Sequence, residues 1–214
     1  MLVAARGRAL LRGAVMLAAA FTAGCGARTD APAPPAAAPT VEDSVWAVVL
    51  DSLYVQPSTR RLVVRDSTTR IHRRDDRLVP DYVRNFDPVP GIERETVDDF
   101  RTRNLRPRAV TALPRTRVPV ERVSEATIER FPTGLVRRRT GERMRFWRAF
   151  HKRYPDSSGL ITLSRVGFNA ARTQAVLSVD RNCGGRCADG TIILLARDAS
   201  GRWRVVHTQG TWMA

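Results

Sequence analysis

From Gly159 onward the chain is built of short β-rich runs joined by very short connections, and this pattern constrains the fold more than any other part of it. Leu160 to Phe168, Thr173 to Arg181, Thr191 to Arg197 and Arg202 to Thr208 read as four strands. Between them lie Asn169 to Arg172, a loop carrying Cys183-Gly184-Gly185-Arg186-Cys187, and Asp198-Ala199-Ser200-Gly201. A parallel crossover needs a dozen or more residues, so strands joined this closely form an antiparallel meander.

Such a sheet needs a cover, and the preceding segment supplies one. Phe146, Trp147, Phe150 and Tyr154 fall within one arc of roughly 100° on a helix, with Arg145, Arg148 and Lys152 opposite and His151 at the margin. Pro155 stops that helix. A basic helix with an aromatic face also suits a membrane surface, but a helix leading straight into a meander is expected to lay its apolar face across it. Upstream, Val41, Val45, Val48, Val49 and Leu53 recur at helical spacing behind Thr40 as N-cap, and Gln56-Pro57 ends the run. Leu62-Val63-Val64 reads as a strand, Glu93 to Asn104 as a shorter helix, and Val118 to Val123 as a strand after an irregular proline-containing stretch. The fold class is α+β, a helix packed on a curved antiparallel sheet, with cystatin-like and NTF2-like domains as architectural analogies. Residues 41–214 are expected to form one domain, with an N-terminal part over 41–125 and the helix plus sheet over 140–214.

The N-terminus belongs to a different problem. Arg6, Arg8 and Arg12 precede an apolar segment from Ala14 to Phe21 that is shorter than the roughly 20 residues of a spanning helix. Thr22-Ala23-Gly24 then places small residues before Cys25, the layout of an export signal. Small residues followed at once by Cys resemble the bacterial lipobox, cut by signal peptidase II after a diacylglyceryl group joins the Cys sulfur. That resemblance implies a signal peptide over 1–24, lipidated Cys25 as the first mature residue, and a Pro/Ala tether over 25–40 that cannot pack a core. Thr22 stands where the lipobox usually has Leu, and the competing expectation is an ordinary secretory signal with Cys25 incidental. Gly26 lacks the aspartate that retains some lipoproteins at the inner membrane, so the expected location is the bacterial cell envelope, lipid-anchored, on the periplasmic or outer-membrane side.

Charge is concentrated in the middle. Arg101 to Arg153 holds 16 basic and 4 acidic residues of a chain whose formal charge is +15. Arg137, Arg138, Arg139, Arg145, Arg148 and Lys152 are the candidate anion-binding residues, suited to phosphates on lipid or envelope polymer. Lys152 is the single lysine, so arginine also serves as the default surface residue. An exported protein does not meet the genome, which sets nucleic acid aside as a partner.

Cys183 and Cys187 are separated by three residues, two of them glycine. That flexibility brings two Cα atoms within disulfide range, and the pair is expected to clip a hairpin tip. The redox alternative, Cys-x-x-Cys at a helix start, has different spacing. A metal site lacks ligands at suitable spacing, since the histidines are only His72, His151 and His207.

Leu163-Ser164-Arg165-Val166-Gly167-Phe168-Asn169, Thr173-Gln174-Ala175, the cysteine loop and Trp203-Arg204-Val205-Val206 together resemble uncharacterised bacterial exported proteins. Asp99-Phe100, Asn104 and Val48 to Tyr54 join that pattern, which spans about two thirds of the chain. The resemblance implies a single domain and transfers no catalytic residue.

Enzymatic signatures are weak. His151 with Asp156 and Ser157 or Ser158 holds the residue types of nucleophilic catalysis, but no Gly-x-Ser-x-Gly elbow or phosphate loop accompanies them. Asp98 and Asp99 are adjacent on a helix and point about 100° apart. No catalytic residue, metal or cofactor is assigned. The expected function is that of a membrane-anchored, non-enzymatic binding or structural module touching an anionic envelope polymer or lipid. The alternative is an envelope enzyme or small-ligand binder with a pocket between helix and sheet.

Overall fold

The computed structural model describes residues 40–69, 73–74, 77–78, 89–131 and 140–214. Cys25, the segment 1–24, the tether up to residue 39, His72 and Arg137 to Arg139 lie outside the described residues. Helices α1 (Val41–Val49), α2 (Arg94–Arg103), α3 (Glu125–Glu129) and α4 (Thr140–Arg153) surround strands β1 (Arg61–Arg65), β4 (Val120–Val123), β5 (Ser157–Leu163), β6 (Gly167–Phe168), β7 (Gln174–Gly184), β8 (Cys187–Arg197) and β9 (Trp203–Met213). These seven strands form one curved, unclosed sheet in the order β4-β1-β5-β7-β8-β9, with β6 paired to β7. Two short strands, β2 (Arg73–Arg74) and β3 (Arg77–Leu78), pair only with each other.

The α+β class and the C-terminal antiparallel meander are as expected, with three differences of detail. β1 enters the sheet between β4 and β5 and runs parallel to both, so the sheet is mixed. The β7–β8 ladder runs on to Gly184 opposite Cys187, so the connection is two residues instead of the whole cysteine loop. β9 continues past Thr208 to Met213 because β8 offers it a partner as far as Asp189. Cross-strand pairing overrides weak local propensity here.

Both sheet faces are covered. On one face Leu62, Val64, Ile161, Leu163, Leu177, Val179, Ile193 and Leu195 pack with Val45, Trp46 and Val49 of α1. Thr40 caps α1 reciprocally with Asp43, and beyond Val49 the helix widens into a π turn that keeps Leu50 and Tyr54 in the core. On the other face Phe146, Trp147, Phe150 and Tyr154 of α4 pack on Val63, Val123 and Leu160. α2 adds Val97 and Phe100 over Val176, Ile192 and Leu194.

Polar residues lock these layers together. Asn104, fully buried, donates to the carbonyls of Phe100 and Arg165 and accepts the Arg165 N–H at 2.8 Å. Asp99 accepts the Phe168 N–H, also at 2.8 Å. Gln174 accepts from the Glu93 N–H and the Thr96 hydroxyl while its amide donates to the Gly91 carbonyl. Asn169 accepts the N–H groups of Thr173 and Gln174 and so closes the β6–β7 turn. From α1, Glu42 accepts the Val166 N–H at 2.8 Å, and the Trp46 indole donates to the Ser164 carbonyl. Gly167 lies so close to α2 that a Cβ there would stand 2.5 Å from the Phe100 backbone. The 163–175 words of the sequence pattern are thus one interlock of α1 and α2 with the strand margins.

Candidate functional site

The basic face of α4 follows from its amphipathicity. With the aromatic arc buried, Arg145, Arg148 and Lys152 are exposed, and none is ion-paired to another described residue. These three point away from the core as one cationic strip. By contrast, many other arginines are engaged: Arg108 and Arg165 flank buried Glu42, Arg181 grips Asp189, and Arg103 grips Asp99.

The cysteine pair forms a disulfide, with Cα atoms 5.0 Å apart. It sits at the tip of the β7–β8 hairpin, where the register shifts between Asn182 and Gly184 to accommodate Cys183. Gly159, at φ +109°, passes under this tip, and a Cβ there would strike the Asn182 carbonyl and Cys183. His151 lies at the margin of the α4 aromatic arc, as the helical wheel requires, and its Nε2 is 3.0 Å from the Cys183 carbonyl.

That contact turns His151 toward the cysteine hairpin. Ser157 donates to the Tyr154 carbonyl instead of to an imidazole, and Asp156 adopts a positive φ of 57° in the turn after Pro155. Among the described residues no hydrogen bond links His151, Asp156, Ser157 and Ser158 to one another, and the two serines open β5. Asp98 and Asp99 also diverge: Asp98 pairs with Arg94 and Arg101, whereas Asp99 serves the Phe168 N–H.

On the α1 face, Tyr54 packs over the Arg181 guanidinium, 5.9 Å from its ring centroid. Burial, reinforced by Asp189, raises the Tyr54 pKa well above the ordinary phenol value and keeps the hydroxyl neutral. At the β8–β9 turn, Asp198 accepts from the Ser200 hydroxyl and the Arg204 guanidinium, and the two hold its carboxyl well below the usual range.

A groove of about 460 Å³ opens on the α4 side of the sheet, lined by Arg65, Thr162, Asp180, Asn182 and Trp212 with the segment Ser67 to Thr69 and Pro107. Sequence reasoning missed it, because its lining comes from four strands and two loops. A second groove of about 420 Å³ lies between the start of α1 and the β8–β9 turn. Among the described residues no group of His, Cys, Asp or Glu is arranged to hold a metal, and no helix is long and apolar enough to cross a membrane. No family model matches the chain, and neither the curated proteins nor the solved structures include a match to it.

Proposed function

We propose that this chain is a lipid-anchored protein of the bacterial cell envelope, attached through Cys25 on the periplasmic or outer-membrane side. Its α+β domain acts as a non-enzymatic binding or structural module that contacts an anionic envelope polymer or lipid through its arginine-rich middle. The observation that carries this reading is the division of α4. Phe146, Trp147 and Phe150 fill the space against the sheet where a helix–sheet pocket would lie, while Arg145, Arg148 and Lys152 are left to solvent. The Cys183–Cys187 disulfide fits an oxidising compartment.

Mass spectrometry of the exported protein without reduction tests the anchor. The expected mature N-terminus is Cys25 carrying diacylglyceryl, and the protein stays with the membrane fraction. A mature chain cut elsewhere, or a mature N-terminal Cys25 that carries no lipid, would overturn the anchoring.

A further inference from the structure

The groove on the α4 side of the sheet has a floor that local pattern does not explain. Thr162, Asp180, Gly190 and Trp212 stand opposite one another in a straight row across β5, β7, β8 and β9. Leu160, two residues before Thr162, is under α4, and Val176, four before Asp180, is under α2. The polar row therefore lies between the footprints of the two helices.

Trp212 reaches this row only through a bulge. Gln209 pairs with Ile192 and Gly210 with Thr191, but Trp212 then pairs with Gly190, leaving Thr211 as an extra residue. Strict alternation from Gln209 would turn Trp212 to the α1 face; the extra residue turns it to the groove. Gly190 makes room for it, since a Cβ at that position would lie 2.0 Å from the indole nitrogen. The indole N–H crosses Gly190 and donates to the Asp180 carboxylate at 3.0 Å. Three independent features (the bulge, the glycine and the hydrogen bond) hold one aromatic ring at the groove while leaving it 37% exposed.

The surroundings define what fits against that ring. Arg65 is ion-paired to Glu125, and Asp180 is engaged by the indole, so neither offers a bare charge to a ligand. The Asn182 amide and the Thr162 hydroxyl add neutral donors and acceptors. An exposed aromatic face beside planar amide and carboxylate groups complements a ligand with an apolar C–H face and a rim of hydroxyls. We propose that this groove binds a saccharide segment of a glycan, with Trp212 as the stacking platform and Asp180, Asn182 and Thr162 as hydroxyl partners. This goes beyond the anionic contact of α4, because it uses other residues and a ligand that carries no net charge.

The test is titration of the full chain with a β-1,4-linked N-acetylglucosamine trimer, maltotriose and cellotriose, followed by tryptophan fluorescence and calorimetry. Trp46, Trp147 and Trp203 are buried to 4%, 5% and 7% exposure, so Trp212 dominates any change in emission on binding. The expected result is saturable binding of at least one trisaccharide that persists at high salt. It weakens about tenfold or more in Trp212→Ala and to a lesser extent in Asn182→Ala, a variant that leaves the bulge and Gly190 untouched. Thermal melts check that both variants fold. No saturable binding of any of the three sugars, binding unchanged in both variants, or binding abolished by salt would overturn the proposal.

Discussion

At the residue scale, the described structure is held at its margins by single polar side chains that each satisfy backbone groups from two elements. Asn104 is the clearest, since its side chain donates to the Phe100 carbonyl in α2 and makes two further hydrogen bonds to the Arg165 backbone. Asn104→Ala leaves the part-buried Arg165 N–H without its acceptor, a loss of about 1–3 kcal/mol that a denaturant melt would register. Gly167→Ala is expected to destabilise by about 1–3 kcal/mol through overpacking against α2, because the added Cβ meets backbone that cannot swing aside. Asp198 gives a pH signature. Its carboxyl is held below the usual range by Ser200 first and Arg204 second, so its contribution is present above the ordinary carboxylate pKa and fades as pH falls below it. The melting-temperature gap between the protein and Asp198→Asn should be constant near neutrality and narrow below about pH 4. The partners of Asp198 are local and sit within the same turn, whereas Asn104 and Gly167 meet theirs across a long stretch of chain, which the sequence does not announce.

At the scale of elements, α4 and the β7–β8 hairpin carry different kinds of stability. Phe150 is fully buried between Phe146, Trp147 and Tyr154, so Phe150→Ala is expected to cost about 3–5 kcal/mol, measured by equilibrium unfolding. The disulfide encloses a very short loop, and the double Cys183→Ser, Cys187→Ser variant should lose only about 1–2 kcal/mol while keeping the same far-UV circular dichroism. The helix was legible because its aromatic period and its proline stop are local. The strand ends were not: Asn182 to Gly184, Cys187 to Gly190 and Gln209 to Met213 look like loop, and they become strand because each has a neighbour to pair with.

At the scale of the whole molecule, charge and groove chemistry separate two binding modes. Binding of the chain to anionic vesicles should fall steeply as salt rises, and an Arg145→Ala, Arg148→Ala, Lys152→Ala triple variant should bind more weakly with its stability little changed, since these side chains are exposed. Co-sedimentation across a salt series measures it; salt-independent binding would remove the cationic strip from the function.

Short connections and residue period decided much of the fold before any tertiary contact was known. Four C-terminal strands must run antiparallel because nothing between them is long enough for a crossover, and α4 must cover a sheet because one arc of it is aromatic. What tertiary structure alone decided is adjacency. β1 lies between β4 and β5, parallel to both, although about 55 residues separate it from β4 and more than 90 from β5. The side-chain period of a strand says which residues share a face but not which strand comes next. Likewise a single extra residue at Thr211 reverses the face that Trp212 occupies, and no local pattern announces it, because a bulge is defined by the partner strand it is counted against.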